Sequence, residues 1–86
     1  MLYLTLKMAL LDVGRVCVKV RGRDAGGLCV VVEAPAAGRV LVDGIGVRRR
    51  KVSVLDVEPT PSVVSVRKDS STEAVVRELE KASLAW

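Results

Sequence analysis

The chain contains no histidine and no phenylalanine, and its only aromatic residues are Tyr3 and Trp86. Without histidine there is no Ser–His or Cys–His pair to activate a nucleophile. Cys17 and Cys29 are the only thiols, too few for a zinc site built within one chain. The carboxylates are scattered, and Asp24, next to Arg23 and just before a glycine pair, reads as an arginine partner rather than a general base. The glycine-rich stretch around it lacks the Gly-Lys-Ser/Thr ending of a nucleotide-binding loop. The expected catalytic residues, metal ligands and cofactors are therefore none, and the chain reads as a non-enzyme. Long apolar runs are missing too. The opening MLYLTLKMALL is too short to span a bilayer, is interrupted by Lys7 and precedes no small-residue cleavage site. Neither a membrane partner nor a secretory signal is expected, and the two cysteines are expected to be reduced in an intracellular protein.

What is abundant is valine, at 18 of 86 residues. Valine is stiff at χ1 and suits a pleated surface, so composition favours a β-rich fold. Val16, Val18 and Val20 alternate with Cys17, Lys19 and Arg21, which reads as a half-buried strand with its polar side outward. Gly22, Gly26 and Gly27 supply loop-shaping turn chemistry. Residues 28–33 form a second expected strand, 39–43 a third and 47–55 a fourth, with a bulge or a tight helical turn where the apolar parity changes near Leu55. Short strands with frequent turn signals point to a small barrel or sandwich of about five strands in a mainly β chain with a C-terminal helix. Pro59-Thr60-Pro61 ends that unit, and Val63, Val64 and Val66 offer an edge strand. Ser70 and Glu73 form a capping box ahead of a helix over 71–83, with Val75, Leu79 and Ala82 on its apolar face. The expected organisation is an N-terminal extension at 1–11, a barrel at 12–58, and a linker, possible edge strand and helix at 59–86. Two readings of the start stay open: Met1 to Lys7 as an appendage ahead of a natural start at Met8, or Leu2, Leu4 and Leu6 as an extra edge strand.

Charge is unevenly placed. Residues 1–55 carry ten Lys/Arg against four Asp/Glu, net +6, while residues 56–86 carry four against six, net −2. Four consecutive cations, Arg48, Arg49, Arg50 and Lys51, concentrate the excess, and Lys19, Arg21 and Arg23 cluster at the glycine loop. A basic patch is the electrostatic footprint of a nucleic-acid binder. The barrel segment has no aromatic side chain for base stacking, so recognition is expected through phosphate, ribose and shape. Arginine outnumbers lysine, and its planar fork fits phosphate. Folded RNA is the expected partner.

The spacing of Val18, Val20, Gly22 and Gly26 before an apolar strand resembles a KOW motif, the RNA-binding hairpin of SH3-like barrels. The ordered set DVGRVCVKVRGRDAGGLCVVV, VLVDG, GVRRRKV and LDVEPT, followed by an amphipathic helix, is similar to one family, the archaeal and eukaryotic large-subunit ribosomal proteins numbered fourteen in the "e" series. That resemblance implies an SH3-like barrel serving as a cytoplasmic structural component of the large ribosomal subunit, with ribosomal RNA and other large-subunit proteins as partners, and a monomer when free. It places RNA contacts at Lys19, Arg21 and Arg23 and at Arg48, Arg49, Arg50 and Lys51. Gly27 departs from the lysine that KOW motifs often carry there. The alternative is a KOW-type interaction module of a transcription or translation factor.

Overall fold

A computed structural model describes residues 2–84, so Met1, Ala85 and Trp86, at the outer ends of the expected extension and helical segment, lie outside the described residues. The elements are α1 (Leu2–Leu10), β1 (Arg15–Lys19), β2 (Leu28–Ala36), β3 (Arg39–Gly44), β4 (Arg50–Ser53), a 3-10 turn (Val54–Asp56), β5 (Val57–Val63) and α2 (Thr72–Leu84). The strands form one antiparallel sheet in the order β4-β3-β2-β1-β5. All five strands send residues to one inner core: Cys17, Cys29, Val31, Val40, Val42, Val52 and Val57, closed by Leu11, Val47 and Val54. A sheet whose two outermost strands share a core, and are joined by a three-residue turn, curls into a small barrel.

The opposite face is also covered. Val16, Val30 and Val32 pack with Val66 and with Val75 and Leu79 of α2, and Leu28, Leu41 and Val64 lie against them. This explains the unbroken apolar run of β2, since a strand buried on both faces has no polar parity to display. It also corrects the reading of β1. Cys17 and Lys19 do not face water; they point into the barrel, while Val16 lies under α2 and Val20 is exposed. Alternation placed the faces correctly but not which side met solvent.

The 3-10 turn occupies the site of the apolar parity change, with Ser53 Oγ accepting from the Leu55 amide at 3.2 Å. The expected fourth strand is shorter than 47–55, and Pro59-Thr60-Pro61 lies within β5 rather than in a linker. β5 stops at Val63, so no separate edge strand forms over Val63 to Val66. At the start of α2 the cap is Ser71, whose Oγ accepts from the Ala74 amide at 3.2 Å; Ser70 Oγ instead accepts from the Arg67 amide at 2.9 Å.

The opening residues form α1, neither a strand nor a loose appendage. Leu4 packs on the barrel core, Leu11 is buried just beyond the helix, and Lys7 is buried between them. Tyr3 Oη donates to Glu58 Oε2 at 2.5 Å and Lys7 Nζ to Oε1 at 3.3 Å, fastening α1 to β5. Both contacts favour the ionised carboxylate, so Glu58 sits below the usual carboxylate range, Tyr3 being the larger cause, and the Tyr3 phenol is correspondingly raised. No described helix is long and apolar enough to cross a membrane.

Candidate nucleic-acid interface

The loop between β1 and β2 is wound tightly onto the end of its hairpin. The Lys19 amide donates to Gly27 O at 2.9 Å, the Gly26 amide to Lys19 O at 2.7 Å, and the Gly27 amide to Asp24 O at 3.0 Å. Gly22 and Gly26 hold φ of +86° and +91°, a region that a β-branched residue strongly disfavours. Gly27 serves differently: a Cβ there would lie 2.7 Å from Val47 Cγ2, so its bareness lets the loop close against the turn before β4.

That approach brings the two basic features of the sequence together. Arg50 Nη2 on β4 lies 3.5 Å from Asp24 Oδ2 in the loop. Around this bridge Arg21, Arg23, Arg48 and Lys51 are exposed, and none of them has an ion pair among the described residues. Arg39, which begins β3 directly after the Gly38 turn, joins them: it shares a groove of about 280 Å³ with Lys19, Gly22, Arg50, Lys51, Val52, Ser53 and Asp56. As an isolated cation after a turn, Arg39 carried no sequence signal beyond its charge. The β3–β4 register, pairing Arg39 with Ser53 and Leu41 with Lys51, is what puts it beside the basic run.

Besides Arg50, two more of the seven cations singled out in the sequence take on structural partners. Arg49 Nε donates to Asp43 Oδ2 at 3.0 Å, and Arg49 Nη2 donates to the Ser70 carbonyl just before α2. Asp43 is fully buried, and its other oxygen accepts from the Gly44 amide at 2.9 Å. Arg49 is thus the counterion of a buried carboxylate and ties the barrel to the entry of α2. Lys19 is only 2% exposed, and its ammonium donates to the Arg21 carbonyl at 2.6 Å, bracing the loop from inside.

Elsewhere Glu33 and the two cysteines have plain partners. Lys68, 3.0 Å from Glu33, holds that carboxyl below its usual range, with Lys51 acting in the same direction. Cys17 and Cys29 sit directly opposite one another on β1 and β2, both buried and both free thiols. The neighbouring Cys29 thiol, and then burial, push the Cys17 thiol up. Among the described residues no three His, Cys, Asp or Glu side chains gather as a metal site.

No protein-family model matches the chain. Curated relatives do. The large ribosomal subunit protein eL14 of Saccharolobus solfataricus is 43% identical over 81 residues, covering 90% of this chain and 84% of the relative. The protein of the same name from Methanococcus vannielii is 47% identical over 77 residues, covering 90% of this chain and 99% of the relative.

Proposed function

This chain belongs to the large ribosomal subunit protein eL14 family, and from that premise we propose that it is a structural component of the large ribosomal subunit, held in place by ribosomal RNA. The role is one of binding and scaffolding without catalysis, exercised in the cytoplasm within the ribosome and beside other large-subunit proteins. One observation carries the RNA contact: the fold joins the β1–β2 loop and β4 into a single basic margin. Arg21, Arg23, Arg39, Arg48, Arg50 and Lys51 are all exposed there. Arginine and lysine side chains of this kind meet phosphate oxygens through charge-assisted hydrogen bonds, which position a protein on RNA without reading its sequence. Lys19 and Arg49 support that surface from behind.

The reading is tested by salt. Binding to large-subunit ribosomal RNA should weaken steeply with ionic strength. If all six exposed cations engage phosphates, the slope of log affinity against log salt should be roughly −4 to −5. The protein should also sediment with large subunits through a low-salt wash and leave them at high salt. A nearly flat salt response would refute an electrostatic RNA contact.

A further inference from the structure

The groove between β4 and the β1–β2 loop has a composition that solvent alone does not explain. Lys19, a residue only 2% exposed, lines it, and its ammonium bonds the Arg21 carbonyl with no ion pair among the described residues. An ammonium has three donors, and burying its charge without an anion is costly. Beside it the lining carries Arg39, Arg50 and Lys51 against Asp56, and Asp24 from the loop lies 3.5 Å from Arg50, which leaves Lys19, Arg39 and Lys51 in excess.

The backbone adds donors. The Val54 amide bonds Gly38 O at 3.0 Å, and the β3–β4 register then makes Val52–Val40 and Arg50–Val42 the hydrogen-bonded pairs. The intervening residues, Lys51 and Ser53, turn their main-chain groups away from β3, towards the open edge that borders the groove. Two amides, a buried ammonium and two guanidinium groups thus border one small cleft. Among the described residues no aromatic side chain lines it to stack a base.

We propose that this groove is a seat for a single phosphate of an RNA backbone, with the Lys19 ammonium at its buried end and the Lys51 and Ser53 amides along its β4 wall. The proposal rests on the RNA-binding reading above and sharpens it. The exposed cations supply general attraction, whereas the seat fixes one phosphodiester in register with the barrel. Lys19 thereby has two uses: it braces Gly22 and the loop, and it offers its remaining N–H groups to the phosphate.

The test combines a phosphate titration with two variants. In 15N-resolved spectra of the full chain, inorganic phosphate should shift the amides of Gly22, Lys51 and Ser53 saturably, and chloride at matched ionic strength should not. Lys19→Met keeps a long stem in the barrel and removes the charge. It should abolish those shifts, lower RNA affinity about tenfold, and reduce the salt slope by about 0.7 to 0.9. Arg39→Gln, at an exposed position where folding is not at stake, should weaken the phosphate response with an unchanged melting temperature. The seat is overturned if phosphate moves only the amides of Arg21, Arg23 and Arg48, or if Lys19→Met binds RNA with the wild-type slope. It is equally overturned if poly-glutamate shifts the groove amides while phosphate and RNA do not, which would give the β4 edge to an acidic protein. Steep salt-dependent RNA binding with silent groove amides removes the seat alone; a wild-type chain that fails to bind ribosomal RNA removes the functional reading itself.

Discussion

Arg49→Ala should damage folding, although its neighbour Arg48→Ala should not. Asp43 is a buried carboxylate whose charge is met by Arg49 Nε at 3.0 Å. Removing one partner of a fully buried ion pair costs roughly 3–5 kcal/mol, because the other charge stays uncompensated. Here the arginine side chain is 31% exposed, and the Gly44 amide continues to bond Asp43 at 2.9 Å, both of which soften the loss. About 2 kcal/mol is a reasonable magnitude after that discount. In a domain of this size it corresponds to about 8–16 °C in melting temperature. Arg48→Ala, with no ion pair to lose among the described residues, should stay within about 0.5 kcal/mol of wild type. Urea unfolding of both variants, with Asp43→Asn and the Asp43→Asn/Arg49→Ala double variant, gives the measurement. The double variant should be more stable than the sum of the single losses, since the uncompensated charge is gone. Equal urea midpoints for wild type and Arg49→Ala would refute the assignment and return Arg49 to the solvated basic face.

Three further outcomes follow from packing and charge. A chain beginning at Met8 loses Leu4 from the core and both α1 contacts to Glu58, so its melting temperature should fall by several degrees; an unchanged value would show that α1 contributes nothing to the fold. Glu58→Gln should be less stable than wild type at neutral pH. Because the folded Glu58 carboxyl is depressed, its stabilisation is present above the ordinary carboxylate value of about 4.3 and disappears as pH falls through the depressed one, so urea midpoints of the two proteins should converge in acid. A difference that persisted unchanged to low pH would rule out the ionic contribution. Cys17 and Cys29 should resist thiol reagents in the native state and yield two free thiols on denaturation, because both are buried and the Cys17 thiol is raised; rapid labelling of native protein would contradict this.

The barrel and its helix were legible because their signals are local. Glycines marked the turn of the first hairpin, and Val75 and Leu79 marked the buried face of α2. What escaped depended on tertiary context. Leu2, Leu4 and Leu6 alternate as in a strand, yet leucine, lysine, methionine and alanine are all strong helix formers, and across so short a segment the two periods overlap. Lys19 looked like a surface cation because it alternates with valines; that α2 covers the valine side is invisible until the sheet is assembled. The run Arg48 to Lys51 looked uniform, and only the fold separates Arg49, drawn inward by Asp43, from its neighbours. The capping shift from Ser70 to Ser71 reflects two adjacent serines with equal local claims, resolved by the Arg67 amide taking the first.

The two outermost strands of the sheet differ in what they offer to another chain. Just before β5 the Val20 amide bonds Asp56 O and just after it the Val64 amide bonds Gly14 O, so along β5 even-numbered residues face β1 and odd-numbered ones face outward. Pro59 and Pro61 occupy those odd positions, and proline has no N–H to give. A stray strand approaching this side finds missing donors where a ladder would have to start, which is how an exposed sheet margin is kept from recruiting copies of itself. The other margin, β4, keeps its amides but surrounds them with like-charged side chains that repel a second β4 while remaining open to an anion. Pairing with a second copy is thereby opposed at both margins by two different chemistries.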